Sequence, residues 1–140
     1  MGKKKIYLET TLFNHYFDTR TPNYHEDTIE LFNACAEGMF EPYTSQYVIE
    51  ELEAAPREKY DQMFDLTKQY NIMILDTSYE ADDLARWYIS KGALPKRSLT
   101  DARHIATASV NKLNTIVSLN LRHIVRKKTI AFTNEINIPL

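Results

Sequence analysis

Glycine is nearly absent from this 140-residue chain, which has only Gly2, Gly38 and Gly92. A phosphate-binding loop or a dinucleotide fingerprint needs several clustered glycines for tight turns and close backbone approach. Nucleotide-driven and NAD-dependent chemistry are therefore not expected. Cysteine is scarcer still. The single thiol, Cys35, rules out an internal disulfide and points to a reducing compartment. It falls on the apolar stripe of a helix, so a core-packing role is expected. No hydrophobic run is long enough to span a bilayer. The basic start "MGKKKIYLETTLF" is interrupted by Glu9, unlike a signal peptide. Together these absences make a soluble, cytoplasmic protein with no membrane association the expectation. The length and the 44% hydrophobic content fit one domain over residues 1–140.

What is present is an uneven distribution of charge. Residues 1 to 90 hold 8 Lys/Arg and 17 Asp/Glu, whereas residues 91 to 140 hold 9 and 2. Such asymmetry marks either a surface for an anionic polymer or a basic half paired with an acidic half inside one fold. Asp101 is one of the two acids in the basic part.

Helices and short apolar strands alternate along the chain. "KKIYL" reads as a strand ending at Glu9. "TPNYHEDTIELFNACAEG" reads as a helix opened near Pro22 and stopped at Gly38. "MFEPYTS" is a weak strand. "SQYVIEELEAA" is a helix with Ser45 as its N-cap, and "REKYDQMFDLTKQY" is a charged amphipathic helix. "NIMIL" is a strand. "TSYEADDLARWYISKG" opens with the capping-box spacing Thr77…Glu80 and closes at Gly92. "SLTDARHIATASVNK" is a helix, "NTIVSL" a strand, "NLRHIVR" a helical turn, and "KTIAF" a last edge strand. The alternation predicts an α/β sandwich with a parallel sheet. Ligands of such sheets bind beyond the carboxyl ends of the strands, where strand order reverses.

That rule singles out Glu9–Thr10–Thr11 after the first strand, Glu50 and Glu51 one helical turn after the second, Asp101 at a helix start, and Asn120 after "SL". Each has an ordinary structural explanation when taken alone: a cap, a solvated helix face, a helix-dipole partner or a turn residue. Taken together, oxygen donors from separate segments at one sheet edge suit Mg²⁺ or Mn²⁺. A divalent ion relieves carboxylate repulsion and activates water for phosphodiester hydrolysis. His104, three residues after Asp101 on the same helix face, is expected to be a buried histidine bonded to a neighbour, and His123 likewise. Tyr7, Tyr16 and Phe17 are expected in the core or at a dimer contact.

The segments "IYLETTLFNHYFD", "TSQYVIEELEAAP", "LTDARHIATASV" and "TIVSLNLRHIVRKKTI", in this order, resemble PIN-domain proteins. More narrowly, they resemble the VapC-like branch, with its strand-end acid plus Thr/Ser, Ser-x-x-Val-x-x-Glu-Leu, Asp-x-x-His-Ile-Ala and Ser-Trp-Asn-Phe-x-His-Ile segments. The resemblance covers nearly the whole chain. It implies a three-layer α/β/α sandwich with a mostly parallel sheet in the order 3-2-1-4-5, the last strand reduced. It also implies a metal-dependent endoribonuclease in which Glu9, Glu51, Asp101 and Asn120 are both catalytic and metal-binding, with Mg²⁺ or Mn²⁺ as cofactor. Thr10, Arg97, Arg103, Arg122, Arg126 and Lys127 are the nucleic-acid-binding candidates. RNA, an antitoxin protein of a toxin–antitoxin pair and a second copy in a homodimer are the implied partners. The chain departs from the branch at Glu9, where Asp is usual, and at Leu119 and Leu121, where aromatic residues are usual. The Glu9 departure keeps a second reading open: a PIN-like RNA- or protein-binding module without catalysis.

Overall fold

The computed structural model describes residues 3–95 and 98–119. Four strands and six helices follow one another as β1 (Lys4–Leu8), α1 (Thr10–His15), α2 (Pro22–Ala36), β2 (Phe40–Ser45), α3 (Gln46–Leu52), α4 (Arg57–Gln69), β3 (Met73–Leu75), α5 (Tyr79–Ser90), α6 (Leu99–Val110) and β4 (Thr115–Val117). The sheet is parallel throughout, in the order β3-β2-β1-β4. The expected α/β class with a parallel sheet is therefore present, with four strands among the described residues. The anticipated fifth strand at "KTIAF" lies outside them.

Strand order determines where the helices go. The steps from β1 to β2 and from β2 to β3 run one way across the sheet, and the step from β3 to β4 runs back. Parallel crossovers are right-handed, so α1–α4 cover one face and α5–α6 the other. Two groups of buried side chains match this division. Leu12, Phe13, Phe32, Cys35, Val48, Leu52, Met63 and Leu66 pack on the first face, and Ala81, Ala85, Tyr88, Ala102, Ile105 and Ala106 between α5 and α6. A sheet covered on both faces needs continuous apolar strands, and Ile6, Tyr7 and Leu8 are all buried. The alanines of α5 and α6 let the two helices approach closely. Cys35 and Tyr7 are core residues, as expected, and Tyr16 is partly buried against that core, while Phe17 is exposed.

Two local details differ from the sequence reading. A short helix, α1, fills the segment after Glu9, with the Glu9 side chain accepting from Thr11 N as its N-cap. The cap of α5 is Ser78, whose Oγ accepts from Ala81 N, one residue beyond the Thr77 of the proposed capping box. The Ser45 cap of α3 is as anticipated, with its Oγ accepting from Val48 N.

Candidate metal centre

Parallel pairing places β1 between β2 and β4, so residues just past the ends of these three strands share one edge. Glu9 leaves β1 there, and its backbone N–H still donates to Val117 at the end of β4. Since Tyr7 pairs with Tyr43, Glu9 and Ser45 lie level two residues further on. The step back from β3 to β4 makes the β1–β4 boundary the reversal point, where an α/β sheet opens a crevice.

Glu9 is almost fully buried, and its Oε1 accepts three hydrogen bonds: from Thr11 N at 3.1 Å, Thr11 Oγ1 at 2.6 Å and Ser118 Oγ at 2.7 Å. Thr11 Oγ1 in turn accepts from Leu119 N at 3.0 Å. This ties the "SL" after β4 to the start of α1. Three donors on one oxygen fix the orientation of the carboxyl group. They also leave Oε2 without a hydrogen-bond partner among the described residues.

Glu51 comes from α3 on one face of the sheet and His104 from α6 on the other. They meet past the end of β1, with His104 Nε2 at 2.6 Å from Glu51 Oε1. His104 has no solvent exposure, while the Glu51 side chain keeps 33% of its own. The other imidazole nitrogen, Nδ1, lies 2.6 Å from the Tyr7 hydroxyl, which lies 2.6 Å from Ser45 Oγ. Burial raises the Tyr7 phenol far above its ordinary range. The Ser45 hydrogen bond works the other way, and the charges of Glu51 and Glu9 add to the rise.

One ligand atom each from Glu9, Glu51 and His104 lie within 4.8 Å of one another. Two carboxylate oxygens and an imidazole nitrogen converging from three segments form a donor set suited to a divalent first-row ion. Thr10 Oγ1, on the residue after Glu9, is buried without a hydrogen-bond partner among the described residues.

The other expected residues are placed as follows. Asp101 is buried in the first turn of α6, one turn before His104, and is not one of the three clustered residues. Arg103 turns to α5, where its Nε donates to Asp82 at 2.8 Å and its guanidinium lies 5.5 Å from the centre of the Tyr47 ring. Asp82 also binds Arg86 at 2.9 Å, and the hydrogen bonds from Arg86 and Arg103 hold its carboxyl below the usual range. Asn120, Arg97, Arg122, Arg126, Lys127 and His123 lie outside the described residues. A groove of about 870 Å³ runs along α2 and the start of β2, lined by Glu26, Glu30, Glu37 and Phe40 among others, but by none of the clustered residues.

Reading the sequence for acids alone did not bring Tyr7, Ser45 or Ser118 into the site. For Tyr7 a signal was present: it precedes Glu9 by two residues on a strand, the period that puts two side chains on one face. Ser118 carried no local signal beyond its position after a strand.

No family model matches the chain, and no curated protein matches it either.

Proposed function

We propose that the chain is a metal-dependent endoribonuclease of the PIN type, hydrolysing RNA phosphodiesters with Mg²⁺ or Mn²⁺. The observation that carries this reading is the convergence of Glu9 and Glu51 past the end of β1, at the reversal point of the sheet, each with a carboxylate oxygen to spare. A divalent ion bound there supplies an activated water and offsets the charge that builds on the phosphate.

The chain's own residues have distinct parts in this reading. Glu9 is fixed by Thr11 and Ser118, so its carboxyl group is held in place before any ligand arrives. Glu51 reaches in from a more exposed position on α3. Asp101 and Asn120 complete the acid and amide set from the start of α6 and the segment after β4. Arg97, Arg122, Arg126 and Lys127 supply the basic rim for the RNA backbone, where contacts bring affinity without sequence choice. Thr10 and Arg103 flank the site. The order 3-2-1-4-5 for a single domain over residues 1–140 calls for a fifth strand beside β4, and its candidate, "KTIAF", lies outside the described residues. An antitoxin covering the crevice, a homodimeric state and a cytoplasmic location belong to the same reading. Among the described residues no helix is long and apolar enough to cross a membrane.

A specific observation favours a second reading, that of a binding module without catalysis. Glu9 Oε1 is already used as a helix cap, and the Arg103 guanidinium is bound to Asp82. The experiment that separates the two is incubation of the purified protein with structured RNA in Mg²⁺ or Mn²⁺, beside Asp101→Asn. Cleavage that vanishes in the variant and in excess chelator supports the nuclease. RNA binding without cleavage in either metal supports the module.

A further inference from the structure

We propose that His104 is itself a metal ligand, so that Glu9, Glu51 and His104 form a two-carboxylate, one-imidazole site that takes Mn²⁺ and its first-row neighbours in preference to Mg²⁺. This rests on the metal-binding part of the function proposed above, and not on the RNA part. It changes the identity of the site from an all-oxygen set to a mixed one.

The placement of the imidazole carries the argument. A histidine that only fills a core needs its two nitrogens satisfied anywhere. Here Nδ1 faces the Tyr7 hydroxyl, and Nε2 faces Glu51, with Glu9 in the same three-residue cluster. Ligating histidines bind metal through one nitrogen and hand the other N–H to a fixed acceptor, which sets the tautomer and the ring orientation. The Tyr7 phenol oxygen is such an acceptor at 2.6 Å, and Tyr7 is itself held by Ser45, the N-cap of α3. The same helix carries Glu51, so one short element positions a ligand and, through Ser45 and Tyr7, orients the other.

The hydrogen-bond chain has two polarities; both satisfy the Ser45–Tyr7 and Tyr7–His104 contacts, and the first also satisfies the His104–Glu51 contact. Without metal, Ser45 O–H donates to Tyr7, Tyr7 O–H donates to His104 Nδ1, and Nε2–H donates to Glu51. With metal, Nδ1–H donates to Tyr7, Tyr7 O–H donates to Ser45 Oγ, and the Nε2 lone pair points into the site. The three residues carry three protons in either arrangement: one on Ser45, one on Tyr7 and one on the imidazole. Between these two arrangements a tautomer shifts and two hydroxyls rotate. For the His104–Glu51 pair the geometry asks for little movement. Neighbouring ligands of a six-coordinate ion with bonds of about 2.1 Å are about 3.0 Å apart, so the 2.6 Å between Nε2 and Glu51 Oε1 opens by a few tenths of an ångström. The partly exposed Glu51 side chain has room to give. Imidazole nitrogen suits Mn²⁺, Co²⁺ or Zn²⁺ better than Mg²⁺, which keeps to oxygen donors.

The test is electron paramagnetic resonance of the full chain titrated with Mn²⁺. Mg²⁺ affinity is measured by competition, and RNA cleavage is assayed in the same preparations. The expected spectrum of the wild type shows nitrogen modulation of the Mn²⁺ signal, altered in its isotope pattern when histidine is supplied as ¹⁵N. His104→Gln removes the modulation and lowers Mn²⁺ affinity more than Mg²⁺ affinity. Tyr7→Phe keeps the imidazole but frees its orientation, and weakens Mn²⁺ binding about 10-fold or more. Mn²⁺ bound without nitrogen modulation overturns the inference, as does an unchanged Mn²⁺-to-Mg²⁺ preference in His104→Gln. The wild-type spectrum decides the matter even if a variant fails to fold. Nitrogen-ligated Mn²⁺ without RNA cleavage upholds this inference while removing the nuclease reading. Absence of Mn²⁺ binding overturns this inference, and absence of RNA cleavage in Mg²⁺ as well removes the nuclease reading.

Discussion

Replacing Glu9 by Gln should leave the metal-free protein about as stable as before and abolish its response to metal. Ligand atoms of Glu9 and Glu51 lie no more than 4.8 Å apart. Two like charges at that separation repel by roughly 3–4 kcal/mol at an effective dielectric constant near 20, and the substitution removes this repulsion. Against it stand the three hydrogen bonds that Glu9 Oε1 accepts. Gln keeps an acceptor oxygen in that place but loses the charge assistance, about 1 kcal/mol for each bond. The two changes nearly cancel, so the metal-free melting temperature should move by only a few degrees. Metal linkage is another matter. At roughly 100 times its dissociation constant a ligand stabilises the folded state by about 2.7 kcal/mol. With an unfolding entropy of about 2.1 cal/mol/K per residue, this raises the melting temperature of a chain of this length by about 9 °C. Differential scanning fluorimetry of the wild type and Glu9→Gln over a Mn²⁺ and a Mg²⁺ titration measures the contrast. An equal rise in the variant, or no rise in the wild type with either ion, refutes the reasoning.

Other outcomes follow from the packing and the titratable groups. Phe32 is fully buried against Phe13, Tyr16 and Tyr70, with ring centres 4.9–6.1 Å away. Phe32→Ala should therefore lower the unfolding free energy by about 3–5 kcal/mol in urea titrations while leaving metal affinity per folded molecule unchanged. Burial and the 2.7 Å hydrogen bond with Tyr16 push the Tyr70 phenol up to about 12. The unfolded value is near 10, so the stabilisation is fully present below about pH 10 and is lost as pH rises through about 12. The urea midpoint should fall over that window, and fall less steeply in Tyr70→Phe; identical slopes would contradict the assignment.

The sequence was most readable where periodicity runs longest. The helices α2 to α6 and the strands β1 to β4 all lie where apolar spacing, caps and stops indicated them. The short helix α1 escaped because six residues span less than two turns, too few to show a 3.6-residue period, although a cap is one of the ordinary roles expected of Glu9 and is the one it has. The start of α5 slipped by one residue because Thr77 and Ser78 are both competent caps, and only the backbone path chooses between them. The site was half readable. Glu9 and Glu51 each end or follow a strand, and the rule for parallel sheets directs attention there. His104 was anticipated as a buried histidine bonded to a neighbour, and it is one. Its neighbour, however, is an acid 53 residues away. That meeting is made by α3 and α6 coming round opposite faces of the sheet, and no local pattern records it. Likewise, nothing near Arg103 in the sequence announces Asp82, its partner 21 residues earlier on α5.

The strand β3 contains three residues and stands at one edge of the sheet, with Met73 exposed on it. Such a rim offers too few unpaired amides and carbonyls to template the growth of a foreign strand. An exposed methionine there is tolerable for that reason. Lengthening β3 by a few β-branched residues would turn a harmless margin into a nucleus for aggregation.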